Sequence, residues 1–319
     1  MSHQVETMVY VGKEPWHGLG VPIPETHRLS IEEAIAAAGL KWKVELRRLY
    51  AEHGDGFNTG VLNYCANCRG TDNAVLGIVG RDYRPLQNQD AFKWFQPFLD
   101  SGEAMLETAG SLQQGAKVWV LARIRRDPLR VAGDDIVSHY LLLSNSHDGS
   151  LAVRVGFTPI RVVCNNTLCL AHESKASKLL RVRHTAGVKR NLVSIRETID
   201  LAHREFTATV EQYRRLMGKA INSNDLDQYI RLIFPPKPKE SNKRRTGEEK
   251  LVPKVVRLFE GGRGSREAGR TYWGAYNAVN EYLNYFRGKN QENTLKSLWF
   301  GTGAELNKKV LHVAMKMAG

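Results

Sequence analysis

Four cysteines stand in two close pairs, Cys65-Ala-Asn-Cys68 and Cys164-Asn-Asn-Thr-Leu-Cys169. Zinc takes four soft ligands in a tetrahedron, and two such pairs have the residue types for it. The second spacing is loose, however, and it follows the apolar run Ile160, Val162, Val163, which reads as a buried strand. The pairs are therefore read as unliganded thiols, with Cys164 a small core residue, and no metal or other cofactor is expected. His147-Asp148 beside Ser144, Ser146 and Ser150 has the types of a base oriented by a carboxylate. Adjacent residues on a turn point apart and triads draw on distant segments, so turn chemistry at Asp148-Gly149-Ser150 is the better reading. Asp134, Asp135 and His139 have the types that hold a divalent ion in a nuclease, yet Gly133-Asp134-Asp135 also reads as a turn before a strand. Gly261-Gly-Arg-Gly264 is an isolated glycine cluster, and no phosphate-binding Gly-x4-Gly-Lys-Ser/Thr, strand-linked GxGxxG or HExxH occurs.

The basic residues are better placed for binding. Lys175, Lys178, Arg181, Arg183, His184, Lys189 and Arg190 crowd into one short stretch, and Arg204, Arg214, Arg215 and Lys219 continue it along a helical segment. This is a candidate phosphate track, because clustered cations gain by releasing the counterions condensed on a polyanion. Tyr272, Trp273, Tyr276, Tyr282 and Tyr285 lie near Arg263, Arg266 and Arg270. Helical spacing assigns most of these rings to a core, and Trp273 and Tyr285, off the stripe, are the stacking candidates. In Ile160–Cys164 alternation puts Ile160, Val162 and Cys164 on one face and Arg161 on the other. Arg161 either pairs with a carboxylate such as Asp148 or reads phosphate at a groove floor, with Asn165 and Asn166 on sugar or base edges.

The elements that must position these groups divide the chain in two. In the first half, Ser30–Gly39 is a short helix with a Ser cap, Glu33 at the capping-box position and a terminal Gly. Trp42–Tyr50 and Ala74–Val79 read as strands, and Asp90–Leu99 as a helix interrupted by Pro97 or ending near it. Lys117–Ile124, Ile136–Ser144 and Leu151–Phe157 follow as strands; the first is apolar on both faces and therefore central. Asp148-Gly149 between two of them is hairpin chemistry, which makes the sheet antiparallel. From about Asn191, Leu192, Ile195, Ile199, Ala202, Phe206, Val210, Tyr213 and Met217 recur every three or four residues as one long helix. Further helices are expected over 271–287 and about 304–317. Pro235–Lys250 has no apolar residue to bury and reads as a disordered loop.

Composition agrees with this plan. In 319 residues, 42% are hydrophobic and 25% charged, which excludes disordered, collagen-like and disulfide-scaffold classes. Mean hydropathy is −0.39 and no apolar run approaches a bilayer's width. The first residues lack a signal-peptide pattern, and a cytoplasmic location is expected. The net charge of +13 is segregated: residues 1–150 carry 15 Lys and Arg against 18 Asp and Glu, and residues 151–319 carry 31 against 15. A half-chain at +16 points to a polyanion partner. The fold class is α+β, an antiparallel-sheet domain over 1–188 followed by a basic helical region over 189–319 with its loop near 235–250.

Six segments carry a resemblance: Trp16-His-Gly-Leu-Gly20, Arg81-Asp-Tyr-Arg-Pro-Leu-Gln-Asn88, Glu107-Thr-Ala-Gly110, Ser146-His-Asp-Gly-Ser150, Pro159-Ile-Arg-Val-Val-Cys-Asn-Asn-Thr-Leu168 and Trp273-Gly-Ala-Tyr-Asn-Ala278. In that order they resemble the phage/plasmid-like protein family known as domain of unknown function 932. The resemblance implies a gene of phages, plasmids or integrated elements and brings no activity with it. At the level of architecture alone, the order helix, strands, helix in the first half, followed by a basic region, resembles that of single-strand annealing recombinases, in which a β-β-β-α core lines a basic groove. The function expected is non-enzymatic binding of nucleic acid, single-stranded DNA first, in replication or recombination of a mobile element, through Arg161, Asn165, Asn166, Lys175, Lys178, Arg181, Arg183, Lys189, Arg190 and Trp273, with self-association open. The alternatives are a metal-dependent nucleic-acid enzyme using Asp134, Asp135, His139 or His147-Asp148, and a host-interaction or anti-defence protein.

Overall fold

A computed structural model describes residues 5–12, 20–54, 56–125, 129–161, 166–167, 181–182, 198–235, 251–287, 297–298 and 302–319; for 5–6, 157–161, 166–167, 181–182 and 198–205 only the backbone is described. The fold is α+β. The chain forms two compact units, one of residues 1–126, 140–157 and 171–202, the other of 127–139, 158–170 and 203–319.

The first unit is built on strands β1 (Val5–Val11), β2 (Val21–Ile23), β6 (Ala104–Leu112), β7 (Lys117–Ile124), the 140–146 part of β9 (Asp135–Ser146) and the 153–157 part of β10 (Val153–Arg161). They lie in the order β2-β1-β6-β7-β9-β10; β1–β6, β6–β7 and β7–β9 are antiparallel and β1–β2 is parallel. As its apolar alternation requires, β7 is central, with Val118, Val120 and Ala122 in one buried layer and Trp119 and Leu121 in the other. Helices α1 (Ile31–Ala37), α2 (Asn88–Lys93) and α3 (Gln96–Asp100) share a core with the first layer through Ile31, Ile35, Phe92, Phe95 and Phe98. The capping box at α1 is formed: Ser30 Oγ accepts the Glu33 N–H and Glu33 Oε2 accepts the Ser30 N–H. Pro97, which fits the first turn of a helix and not its interior, divides the expected 90–99 helix into α2 and α3.

A second, three-stranded antiparallel sheet of β3 (Val44–Glu52), β4 (Asn58–Arg69) and β5 (Val75–Gly80) completes the unit. A Cβ on Gly77 of β5 would stand 2.4 Å from the Asp148 Cα, so only glycine lets β5 run against that turn. β12 (Arg181–Val182) pairs with Val153 and Arg154 of β10.

The second unit holds β8 (Leu129–Ala132) paired with the start of β9, β11 (Asn166–Thr167) paired with the end of β10, and helices α4 (Thr198–Met217), α5 (Ser223–Ile233), α6 (Leu251–Gly261), α7 (Ser265–Ala268), α8 (Tyr272–Tyr285) and α9 (Thr302–Ala318). Where its side chains are described, the predicted stripe on α4 is buried at Phe206, Val210 and Tyr213 and half-buried at Met217, with Leu216 buried beside it; Leu192 and Ile195 lie outside the described residues. α8 is the axis of this unit, packed by α6, α7, α9 and β11. The stretch 236–250, expected as a disordered loop, lies outside the described residues. Among the described residues no helix is long and apolar enough to cross a membrane.

Candidate nucleic-acid interface

The site is built by α8 and the turn that follows α6. α8 starts at Thr271, whose Oγ1 accepts the Gly274 N–H, and it is buried on almost every side. Three buried asparagines each turn the amide N–H back onto the helix: Asn277, Asn280 and Asn284 donate to the carbonyls of Trp273, Tyr276 and Asn280 at 2.8, 2.9 and 2.7 Å. Glu281, 5% exposed, faces the Gly261–Gly264 turn and accepts the Arg263 N–H at 2.9 Å. A Cβ on Gly262 would lie 2.4 Å from Glu281 Oε2 and 2.4 Å from the Leu258 carbonyl oxygen, so the turn reaches Glu281 only with glycine there. The glycine cluster is thus a clamp that fixes where Arg263 leaves the backbone.

From that point the Arg263 guanidinium stands 4.3 Å over the Tyr285 ring. Lys254 of α6 places its ammonium 4.1 Å over Phe286 and 6.0 Å over Tyr282, and Phe234 meets Tyr282 edge-on at 5.8 Å. Arg270 lies 5.4 Å over Phe259. Arg257, Arg263, Arg266, Arg270 and Arg287 are exposed, and among the described residues none of the five is ion-paired. Burial pushes the Tyr282 phenol up in spite of the neighbouring Arg287. Cations held over aromatic faces, with Phe286 still 43% exposed, give this surface the residue types for base stacking and for phosphate contacts.

Trp273 requires a correction. Expected as a stacking platform, it is fully buried, donates its indole N–H to Asp135 Oδ2 at 2.7 Å, and lies 4.6 and 5.5 Å from the rings of Tyr213 and Tyr276. Being off one apolar stripe does not expose a residue on a helix that is covered on all sides. Tyr285, the other candidate, does meet a cation. Arg161 and Asn166 are brought together as register partners of β10 and β11, in the second unit, while Arg181 pairs with Arg154 in the first. The side chains of those three, and Asn165, Lys175, Lys178, Arg183, Lys189 and Arg190 altogether, lie outside the described residues. Lys254, Arg257, Phe286 and Arg287 were not anticipated. Their signal was weak: cations at helical spacing either side of a glycine turn, whose partners become visible only when α6 lies along α8.

The other constellations resolve into separate structural roles. Asp134 has a side chain 97% exposed with Arg130 at 3.5 Å, Asp135 is held by Trp273, and His139 stacks on Phe206 at 4.1 Å, so the three do not converge. His147 bonds Asn88 Oδ1 at 2.9 Å through Nε2, while Asp148 takes Lys117 at 2.7 Å and the Ser150 N–H at 2.9 Å. Ser146 Oγ exchanges hydrogen bonds with Leu151, and Gly149 takes a φ of +73°. This is turn chemistry. Tyr83 donates to the Ser146 carbonyl at 2.7 Å and Asn145 to that of Leu86 at 3.1 Å, which fastens residues 83–88 to the end of β9. Cys65 and Cys68 are free thiols in the part of β4 whose register with β3 is unbroken, three positions apart and hence on opposite faces, without the turn a zinc knuckle needs. Cys164 and Cys169 lie outside the described residues.

A family model for the domain of unknown function DUF932 matches residues 75–299, and the chain belongs to that family. No curated protein and no solved structure matches it.

Proposed function

For this member of the DUF932 family, we propose non-enzymatic binding of nucleic acid, with single-stranded DNA taken on the α6–α8 surface during replication or recombination of a phage or plasmid. The observation that carries the reading is the set of exposed arginines, without ion-pair partners among the described residues, around Arg263 over Tyr285, in the half of the chain that holds the +16 excess. Phosphates meet the exposed guanidinium groups, whose strength depends on counterion release, and unpaired bases stack on the half-buried rings. A duplex keeps its bases stacked on each other, so the aromatic part of the surface favours single strands. Arg161, Asn165, Asn166 and the Lys175–Arg190 track extend the basic surface in this reading.

The test is a mobility-shift series with single-stranded DNA, duplex DNA and RNA at several salt concentrations. Affinity for single-stranded DNA is expected to fall linearly on a log–log plot against salt, with Arg263→Glu flattening the slope. Tyr285→Ala is expected to weaken single-strand binding by roughly tenfold, as loss of one stacked base does, while Tyr285→Phe keeps it. Absence of binding to any polynucleotide at low salt overturns the reading, and equal affinity for duplex and single strand overturns its single-strand part.

A further inference from the structure

The hairpin of β3 and β4 carries the least covered apolar surface among the described residues. Tyr50 is 60% exposed, Phe57 73% and Leu62 84%, with Val61 and Tyr64 also exposed. At on the order of 100 Å² each, these five side chains offer about 500 Å², the size of patch that on a monomer marks an interaction site. The hairpin leaves the three-stranded sheet at an irregularity in β4: Arg48 opposes Cys65 but Leu49 opposes Val61, so three residues of β4 bulge out and only 64–68 continue to β5. Among the described residues of its two strands the exposed charges are balanced, Glu45 and Glu52 against Arg47 and Arg48. A polyanion has nothing to gain there; a protein surface has.

Among the described residues one edge of β3 is also open. Odd-numbered residues direct their backbone groups to β4, as the bonds Gly70 N–H to Lys43 carbonyl and His53 N–H to Phe57 carbonyl show. Even-numbered residues therefore face away. At Val44 both outward groups are taken by the Gln87 side-chain amide, at 2.9 Å each, which blocks that end of the edge. Beyond it β3 is the terminal strand of its sheet.

We propose that the protein self-associates by pairing β3 with β3 of a second copy, antiparallel, about a two-fold axis at Tyr50. A two-fold axis normal to the sheet keeps each face on its own side, so opposed residues have the same parity and the pairing centres on one residue. Centred on Tyr50, Arg48 of each copy opposes Glu52 of the other, and Tyr50 opposes Tyr50. Neither Arg48 nor Glu52 has an ion-pair partner among the described residues. Centring on Arg48 or Glu52 sets like charges on the axis, and centring nearer Val44 meets Gln87. The charges thus choose both the occupant and the register: one strand sequence satisfies itself.

The test uses the full chain without nucleic acid, by light scattering after size-exclusion chromatography, with circular dichroism to show that each variant is folded. The wild type is expected to run as a dimer. Arg48→Glu and Glu52→Arg each place like charges opposite one another and shift it to monomer, and the double exchange Arg48→Glu with Glu52→Arg restores the dimer. Tyr50→Cys is expected to give a covalent dimer under mild oxidation, since directly opposed Cα atoms in such a pair lie about 5.5 Å apart, within disulfide reach, whereas the wild type treated alike does not. A monomeric wild type overturns the proposal. So does a dimer that withstands both single reversals or is not restored by the double exchange.

Discussion

Glu281 accepts the backbone N–H of Arg263 at 2.9 Å, and four residues along the same helix the Tyr285 ring lies under the Arg263 guanidinium at 4.3 Å. A buried acid thereby places an exposed cation over an aromatic face. The proposed binding surface is held by the core of its unit, so under that proposal changes inside the core are expected to reach binding.

Gly262→Ala is the sharpest probe of this coupling. The added methyl cannot coexist with the Leu258 carbonyl at 2.4 Å, which is backbone, so the end of α6 must shift. A loss of about 1–3 kcal/mol in denaturant unfolding is expected, as for other overpacked sites, together with weaker single-strand binding. Unchanged stability and binding would refute the clamp.

Glu281→Gln keeps an oxygen for the Arg263 N–H, whereas Glu281→Leu does not. Gln is expected to melt near the wild type, and Leu to lose about 1–2 kcal/mol through an unsatisfied amide. Parallel melting curves for wild type and both variants decide it.

Trp273→Phe removes the indole donor from Asp135, a carboxylate that is itself fully buried. The ring volume is largely kept, so the loss, about 1.5–3 kcal/mol, reflects a charge-assisted hydrogen bond. If Trp273 acted as a base-stacking platform instead, binding would fall with stability unchanged; the two measured together separate these roles.

Asp148 gives the pH dependence. Burial pushes its carboxyl up, but the hydrogen bonds from Lys117 and Ser150 outweigh burial and hold it below its ordinary value. A depressed carboxylate adds stability that is present above the ordinary carboxylate range and is lost as pH falls through the depressed value. Asp148→Asn is expected to cost ~3 kcal/mol at neutral pH, because Lys117, with a side chain only 7% exposed, loses its counter-charge. The deficit should shrink in acid, a trend that melting temperatures measured from neutral to acidic pH will show or deny.

Much of the local structure was legible in the amino-acid sequence. Ser30 with Glu33 announces the start of α1, strict alternation and apolar content mark β7 as central, and a 3.6-residue stripe foretells α4 and α8, since each is a period or a cap that neighbouring residues set among themselves. β6, which mixes Gly110 and Ser111 with apolar residues, and β4, where Cys65 and Cys68 drew attention to metal chemistry, carry no such period and form because partner strands supply their hydrogen bonds. Charge segregation pointed to a polyanion and to the aromatic neighbours of Arg263. Which ring is exposed was beyond local reading: Trp273 and Tyr285 both stand off the apolar stripe, and only the packing around α8 buries one and leaves the other beneath a guanidinium. The same holds for Glu281 and Gly262, eighteen or so residues apart and meaningless as a pair until the turn folds back. Periodicity is local and travels with the sequence; exposure and pairing depend on what other segments cover, and that is decided only when the chain packs.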